Sequence, residues 1–396
     1  MSAFAALTWM LALAWLAHAI AVVRGMRRLV DLAETDAGSP ASLTGDGDFD
    51  LTVVVPACNE EKTIGAALAS LAASTGIRLQ IVAVDDRSTD QTGAIMDHAA
   101  FEHRSGPGPH LVEVLHIRDL PAGWLGKTHA MQRAAEHAKA PWLLFTDADV
   151  VFAPEALQRV TRCALAMQAD HFVLVPSLIF HGVSESAMLA SIHALTQWIT
   201  RYWKVADPRA RDFLGVGGFN MVRADVFRSL GGFAPLRMEV IEDMSLGWMV
   251  KRAGYRSCVA TGPGLAQIRW LAGPFSIVSN IEKNGFAGFR YKSWLCLAAC
   301  LGILIDAVLP LAAMAMGGAA LAAGITIYAS LGVIFHANRK VLPIHPLAVI
   351  FFAPCLLVLC FAFLRSMLLT LGKGGITWRG TRYPLSELRK NAAPWN

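Results

Sequence analysis

Long apolar runs constrain this chain more than any other feature. Residues Ala3 to Val23 form the first, interrupted by His18 and followed by Arg24, Arg27 and Arg28. Trp294 to His336 is nearly all apolar, and Pro346 to Leu371 makes another run. About 20 apolar residues cross the hydrocarbon of a bilayer. The first run therefore reads as one span and the second as two, joined near Gly317-Gly318. The last reads either as a third C-terminal span or, broken at Pro354, as a re-entrant pair. Composition agrees: 55% of the 396 residues are hydrophobic and 16% charged, against about a quarter charged in soluble chains. The arginines follow the first apolar core instead of preceding it, which favours a retained anchor with its C-terminal side in the cytoplasm over a cleaved leader.

Between these runs the pattern changes. Asp31 to Asp50 is rich in Gly, Ser, Ala and Asp and reads as a linker. Leu51-Thr52-Val53-Val54-Val55 predicts a buried strand, and Thr63 to Ala73 has helical apolar spacing. Leu79 to Val84 predicts a second strand, ending in Asp85-Asp86-Arg87-Ser88-Thr89-Asp90 before another helix. Gly123-Trp124-Leu125-Gly126-Lys127 opens a helix running to about Lys139, and Pro141 to Phe145 is a strand ending in Asp147-Ala148-Asp149. Strand, acidic turn and helix repeat, which predicts an α/β domain with a mostly parallel sheet. Ligands of such sheets sit beyond the carboxyl ends of the strands. The acidic ends after Val55, Val84 and Phe145 should therefore share one crevice.

The side chains at those ends define candidate chemistry. Asp147 and Asp149 lie two apart, so on an extended backbone they share a face and repel unless a cation or proton lies between them. Magnesium and manganese prefer such carboxylate oxygens together with substrate phosphate. A capped strand-to-helix turn explains the pair alone equally well. Lys127 at a helix entrance suits a phosphate. Gly215-Val216-Gly217-Gly218 permits close backbone approach to a ligand, and Glu242-Asp243 opens a helix to about Arg252, where capping is the plain alternative. Net charge is +5, from 35 basic and 30 acidic residues. That excess is too mild for nucleic acid and suits membrane lipids. The seven cysteines include no CxxC pair, which argues against a disulfide framework or zinc site.

Together these blocks resemble the family 2 glycosyltransferases. Pro56, Asn59 and Glu60 match the family's Pro-x-x-Asn-Glu; Val84 to Asp90 matches Val-Asp-Asp-x-Ser-x-Asp, with Arg87 where glycine is commonest. Asp147 and Asp149 match its Asp-x-Asp, and Glu242 and Asp243 its later Glu-Asp pair. Pro121, Gly123, Trp124, Gly126 and Lys127 match a stretch of the hopene-associated branch. The resemblance covers roughly residues 50 to 260 and implies a Rossmann-like GT-A nucleotide-sugar domain. It further implies that Pro56, Asn59, Glu60, Asp85 and Asp86 cradle the nucleoside and that Lys127, Gly218 and Arg269 serve the donor or its diphosphate. By the same resemblance Asp149, supported by Asp147, binds Mn2+ or Mg2+, and Asp243, with Glu242, provides the catalytic base.

The processive members' Gln-x-x-Arg-Trp is one residue short here, at Gln267-Ile268-Arg269-Trp270. That departure counts against a polymer-making role, and an interface anchor explains Arg269 and Trp270 equally well. Phe275 to Lys292 mixes apolar and charged residues as an interfacial helix would. The end of the chain is basic and carries Trp378-Arg379-Gly380-Thr381-Arg382-Tyr383, similar to a Trp-Arg-Gly-Arg-x-Tyr tail of membrane-bound members with Thr381 inserted.

The expected organisation is an anchor over 1–28, a linker over 29–50, the GT-A domain over 51–270, and an interfacial region over 271–293. Transmembrane helices follow over 294–372 and a basic cytosolic tail over 373–396. The expected function is a metal-dependent inverting glycosyltransferase in a bacterial inner membrane, its catalytic domain cytoplasmic, carrying a sugar from a nucleotide-sugar donor to a lipid or lipid-linked acceptor. A polysaccharide synthase and a non-catalytic nucleotide-sugar sensor or carrier are the alternatives.

Overall fold

The computed structural model describes residues 2–35, 47–103, 110–273 and 275–395. The expected linker therefore lies outside the described residues over 36–46. Along the chain, α1 (Ala3–Met26) precedes β1 (Val30–Asp31). Then β2 (Leu51–Ala57), α2 (Ile64–Ala72), β3 (Leu79–Asp86), α3 (Thr92–His103), β4 (His110–Ile117), α4 (Gly126–Glu136) and β5 (Trp142–Phe145) alternate. They are followed by β6 (Val151–Phe152), α5 (Ala156–Ala166), β7 (His171–Val175), β8 (Ser177–Leu178) and α6 (Gly182–Thr196). Next come β9 (Asn220–Arg223), α7 (Ala224–Ser229), α8 (Glu242–Arg252), β10 (Ser257–Thr261) and β11 (Ala266–Ile268). The turns α9 (Ser276–Asn280) and α10 (Gly285–Gly288) lead into α11 (Ser293–Met316), α12 (Gly318–Ala337) and α13 (Phe352–Gly372). Last are β12 (Gly375–Trp378), β13 (Thr381–Pro384) and α14 (Leu385–Asn391).

These elements form two compact units. One comprises Val30–Leu178, Lys204–Arg269 and Arg379–Asn396; the other comprises Met1–Leu29, Ile179–Trp203 and Trp270–Trp378.

The first unit is built on an eight-stranded sheet in the order β1-β10-β7-β9-β5-β2-β3-β4. Every residue of β2 is buried, as a strand covered on both faces of a parallel sheet must be. Strands β2, β3, β4 and β5 are parallel, so their carboxyl ends share one edge. β9 alone runs against its neighbours, β5 and β7. The sheet is thus the mostly parallel one expected, with one reversed strand, a Rossmann-like GT-A arrangement. Two apolar layers cover it. Leu51, Val53, Leu79, Ile81, Leu144 and Phe172 face α2 and α5, and Val54, Val82, Leu143, Phe145 and Val222 face Met131 of α4 and Leu246 of α8.

In the other unit, α1, α11, α12 and Leu347–Gly372 are four helices long and apolar enough to cross a membrane. Asp306 of α11 accepts a hydrogen bond from the Trp15 indole of α1 at 3.0 Å, so its carboxylate faces the neighbouring helix. His193 of α6 and Gln197, which caps it, both bond to the Asn338 side chain, at 3.1 and 2.9 Å, so this helix packs on the end of α12. Residues 275–292 form two single turns, α9 and α10, where one interfacial helix was expected; glycines at 285 and 288 weaken a continuous helix.

Helix directions decide how the apolar segments thread. A Cβ on Gly324 would stand 2.8 Å from the Pro310 carbonyl and 2.6 Å from Met314, so α12 folds back along α11 as an antiparallel hairpin. Cys300 and Cys360 each point a thiol at the other's carbonyl, at 3.9 and 3.8 Å, and the Cys296 thiol meets the Phe363 carbonyl. α13 is therefore also antiparallel to α11, and α12 and α13 run the same way. The chain must return between them through residues 338–351, where Asn338, Val341, Leu342 and Ala348 are buried. The second part of this return, Pro346–Phe351, is a 3-10 helix. Pro354 does not break α13, because it lies in the first turn, where its missing N–H has no helical partner to lose.

Candidate active site

The β2 end supplies the first cluster. Pro56 is buried in register with Val84. Asn59 takes φ 57°, and its side-chain oxygen accepts the Thr89 amide at 2.8 Å. The Glu60 amide donates to Thr92 Oγ1 at 2.7 Å, and the Glu60 carboxylate pairs with Arg379. Asp85 and Asp86 end β3. Asp85 accepts the Ser88 amide at 3.1 Å, and the Asp86 carboxylate holds Arg87 at 2.8 and 3.1 Å. A Cβ on Gly126 would fall 2.2 Å from Asp86 Oδ2, so only glycine fits where α4 begins against this carboxylate.

Lys127, the next residue of α4, joins the other clusters. Its ammonium lies 2.6 Å from Asp147 Oδ1 and 2.7 Å from Glu242 Oε1, with the lysine side chain 22% exposed. Burial works against its charge, but Asp147, Glu242 and Asp243 outweigh it and hold the pKa well above the ordinary lysine value. The ammonium therefore stays charged. Burial first, then Asp147 and Glu60, push the Asp149 carboxyl up to about 6. Burial and then Glu242 raise Asp243, while Lys127 pulls the other way.

The glycine-rich loop is the wall behind these acids. A Cβ at Gly215 would lie 1.8 Å from the Asp243 carbonyl oxygen, and one at Gly217 would lie 2.7 Å from Asp147 Oδ2. Gly218 is buried, and its carbonyl accepts the Thr146 hydroxyl at 2.8 Å. The close backbone approach expected of this loop is thus to the acids themselves. Asn220 donates to the Asp243 carbonyl at 3.1 Å and contacts His171 at 2.5 Å. Burial holds His171 down to about 4, so it is a neutral strut at ordinary pH.

Arg269 follows β11, exposed. Its strand pairs with β6 through Ala266–Phe152 and Gln267–Val151, just after the Asp147-Ala148-Asp149 turn. Lys127, Asp147, Gly217, Glu242 and Asp243 line one small cleft with Asn220.

Sequence reasoning missed several participants. His116, in register with Asp85 on β4, bridges Asp85 and Asp97 at 3.0 Å each. Hydrogen bonds to Asp97 and then Asp85 raise its pKa. Arg379 and Tyr383 arrive from the C-terminal segment. The register of neighbouring strands could have indicated His116; the Trp378–Tyr383 motif marked Arg379 and Tyr383 without indicating where they pack.

Among the described residues, no three His, Cys, Asp or Glu side chains gather as a self-sufficient metal cluster. The donors present fit a different kind of site. Asp147 and Asp149 offer hard carboxylate oxygens, and burial, then Asp147 and Glu60, disfavour the charge on Asp149. Magnesium-type ions use one or two carboxylates and complete their shell with substrate phosphate and water.

A sheet of this order, with acid clusters at the carboxyl ends of β2, β3 and β5 and a later Glu-Asp pair, defines a GT-A glycosyltransferase domain. The model described as glycosyl transferase family 2 matches residues 52–231. That match takes in the Asp85-Asp86 and Asp147-Ala148-Asp149 motifs. A 4,4'-diaponeurosporenoate glycosyltransferase of Staphylococcus aureus (strain MRSA252) is 25% identical over 366 residues, covering 85% of this chain and 89% of its own length. Among solved structures, a mannosyltransferase from Pyrobaculum calidifontis in complex with GDP-Man and Mn2+ matches 92% of this chain and 99% of its own. Its TM-score is 0.55 at 16% identity, a likeness of fold.

Proposed function

We propose that this chain is an integral-membrane, metal-dependent, inverting glycosyltransferase that moves a sugar from a nucleotide-sugar donor to a lipid or lipid-linked acceptor. One observation carries the reading: the Lys127 ammonium contacts both Asp147 and Glu242, which joins the Asp-x-Asp turn to the Glu-Asp helix in one charged cleft.

Pro56, Asn59, Glu60, Asp85 and Asp86 hold the nucleoside. Lys127 stays protonated and faces the diphosphate, and Arg269 and the Gly218 backbone serve the donor with it. Asp149, with Asp147 in support, would hold Mn2+ or Mg2+, which would neutralise the leaving diphosphate. Asp243, oriented through its own backbone by Gly215 and Asn220, takes the proton of the acceptor hydroxyl. The new bond forms at the anomeric carbon as its bond to the diphosphate oxygen breaks, and the electron pair leaves with the nucleoside diphosphate. Glu242 keeps Lys127 in place. A single displacement inverts the anomeric centre and needs no enzyme nucleophile.

The acceptor reading rests on the four apolar helices and on the relatives named for diaponeurosporenoate. In the proposed topology α1, α11 and α12 cross the membrane, and residues 338–372 enter and leave on one side. The catalytic domain and the C-terminus then both face the cytoplasm. Incubating the purified protein with a panel of nucleotide sugars, Mn2+ and native lipid extract tests the proposal. A hexose mass increment on a lipid of inverted anomeric configuration is expected; free sugar or polymer as the sole product sinks it.

A further inference from the structure

The Trp378–Tyr383 stretch is the one sequence motif that the proposed chemistry does not use. It follows the last apolar helix, and from Arg379 onward the chain belongs to the unit that holds the active site. The Arg379 guanidinium bonds to the Cys58 carbonyl and to the Glu60 carboxylate. Thr381 Oγ1 accepts from Arg87 at 3.3 Å, the same guanidinium that grips Asp86. Tyr383, 5% exposed, receives the Gly126 amide on its hydroxyl at 3.3 Å. Farther on, Leu388 is fully buried, and the Ala393 amide donates to Glu239 Oε2 at 2.9 Å. The Trp395 indole reaches Ser245 Oγ at 3.0 Å, two residues past Asp243. The segment thus runs from the Cys58–Glu60 loop, past the start of α4, to the helix that carries Asp243.

Backbone conformation marks the same place. Asn59, Arg87 and Arg379 take φ of 57°, 59° and 49°, and Gly380 takes 75°. A non-glycine residue persists in the left-handed region only where its surroundings over-determine it. Here the three are tied together: Arg379 holds the loop of Asn59, and Arg87 holds Thr381 beside Arg379.

We propose that Arg379 and Tyr383 are positioning residues of the donor site: the C-terminal segment straps the Cys58–Glu60 loop to the Gly126 amide, and a nucleoside diphosphate binds tightly only with that strap in place. This rests on the nucleotide-sugar reading above. An arginine suits the task because its planar fork reaches a carbonyl and a carboxylate at once, which a lysine cannot reproduce. Neither residue reaches the Lys127–Asp147–Glu242 contacts, so the loss should appear in the KM for donor far more than in kcat or in the KM for acceptor.

The test uses the full-length chain in nanodiscs, with UDP and GDP as probes in the presence of Mn2+, titrated calorimetrically alongside thermal melting. The wild type is expected to bind one of the two. Arg379→Ala should weaken that binding about 10- to 100-fold, the loss of charge-assisted hydrogen bonds. Arg379→Lys should recover part of it, and Tyr383→Phe should weaken it severalfold. Val160→Ala, a buried position of α5 outside the C-terminal segment, controls for general destabilisation. A larger affinity loss in Arg379→Ala than in Val160→Ala at equal melting temperature supports the strap. Unchanged binding in Arg379→Ala, or equal losses in the two variants, overturns it. A wild type that binds neither nucleotide overturns the nucleotide-sugar reading itself, and the strap with it.

Discussion

Lys127 and Glu242, 115 positions apart in sequence, meet at 2.7 Å between ammonium and carboxylate, and the same ammonium holds Asp147 at 2.6 Å. Replacing Lys127 by Met should leave Asp147, Glu242 and Asp243 facing one another with no cation. Breaking a buried pair costs about 3 kcal/mol, the low end of the usual range, because Asp147 is 32% exposed. Lower thermal stability and transfer reduced by at least about 10²-fold are expected together; a stable, active Lys127→Met enzyme would refute the linkage.

The glycine wall makes a sharper prediction. Gly215→Ala puts a Cβ 1.8 Å from the Asp243 carbonyl, so α8 must shift. A misplacement of about 1 Å can cost on the order of 10²-fold in rate. We expect kcat to fall that far while nucleotide affinity stays near wild type, because the nucleoside cradle at β2 and β3 is untouched. Steady-state kinetics paired with calorimetry would check this.

Metal binding should depend on pH with a definite sign. Asp149 is raised to about 6, so below that pH the carboxyl is protonated and a poor ligand. Because its folded pKa lies above its ordinary value, ionising it opposes folding as pH rises from about 4 to 6. Added Mn2+ should therefore raise the melting temperature clearly at pH 7.5 and little at pH 5, and Asp149→Asn should remove the difference. Equal stabilisation at both pH values would contradict this assignment.

Much of this site is legible in the sequence. The β-branched runs Leu51–Val55 and Leu79–Val84 break off into acids, and a strand buried on both faces can place such groups only at its end. The hairpin turn at Gly317-Gly318 was equally plain. What sequence could not give was partnership. Arg379 and Glu60 are 319 residues apart, and no periodicity links them. Nor does a four-residue strand such as Asn220–Arg223 announce that it runs against its neighbours. The return of the chain before α13 was hidden for a similar reason. Pro354 looked like the break, whereas the direction of α13 is set by Cys300 packing on Cys360.

That packing predicts a membrane topology. Because α12 and α13 run the same way, a reporter at the Gly317 turn and one after the C-terminus should lie on opposite sides of the membrane. Alkaline phosphatase and green fluorescent protein fusions at the two positions would read it. The phosphatase should be active only at Gly317, and activity at the C-terminus would show that α13 crosses as a third C-terminal span.

Asp243→Asn tests the central claim most directly. The carboxamide keeps the size of the side chain and removes the base, and loss of general base catalysis costs about 10²- to 10⁴-fold. Nucleotide-sugar binding by calorimetry and hexose transfer to lipid by mass spectrometry should be measured on the same preparation. The account predicts donor affinity within severalfold of wild type and transfer reduced to that extent or below detection. Transfer at the wild-type rate in Asp243→Asn would contradict it.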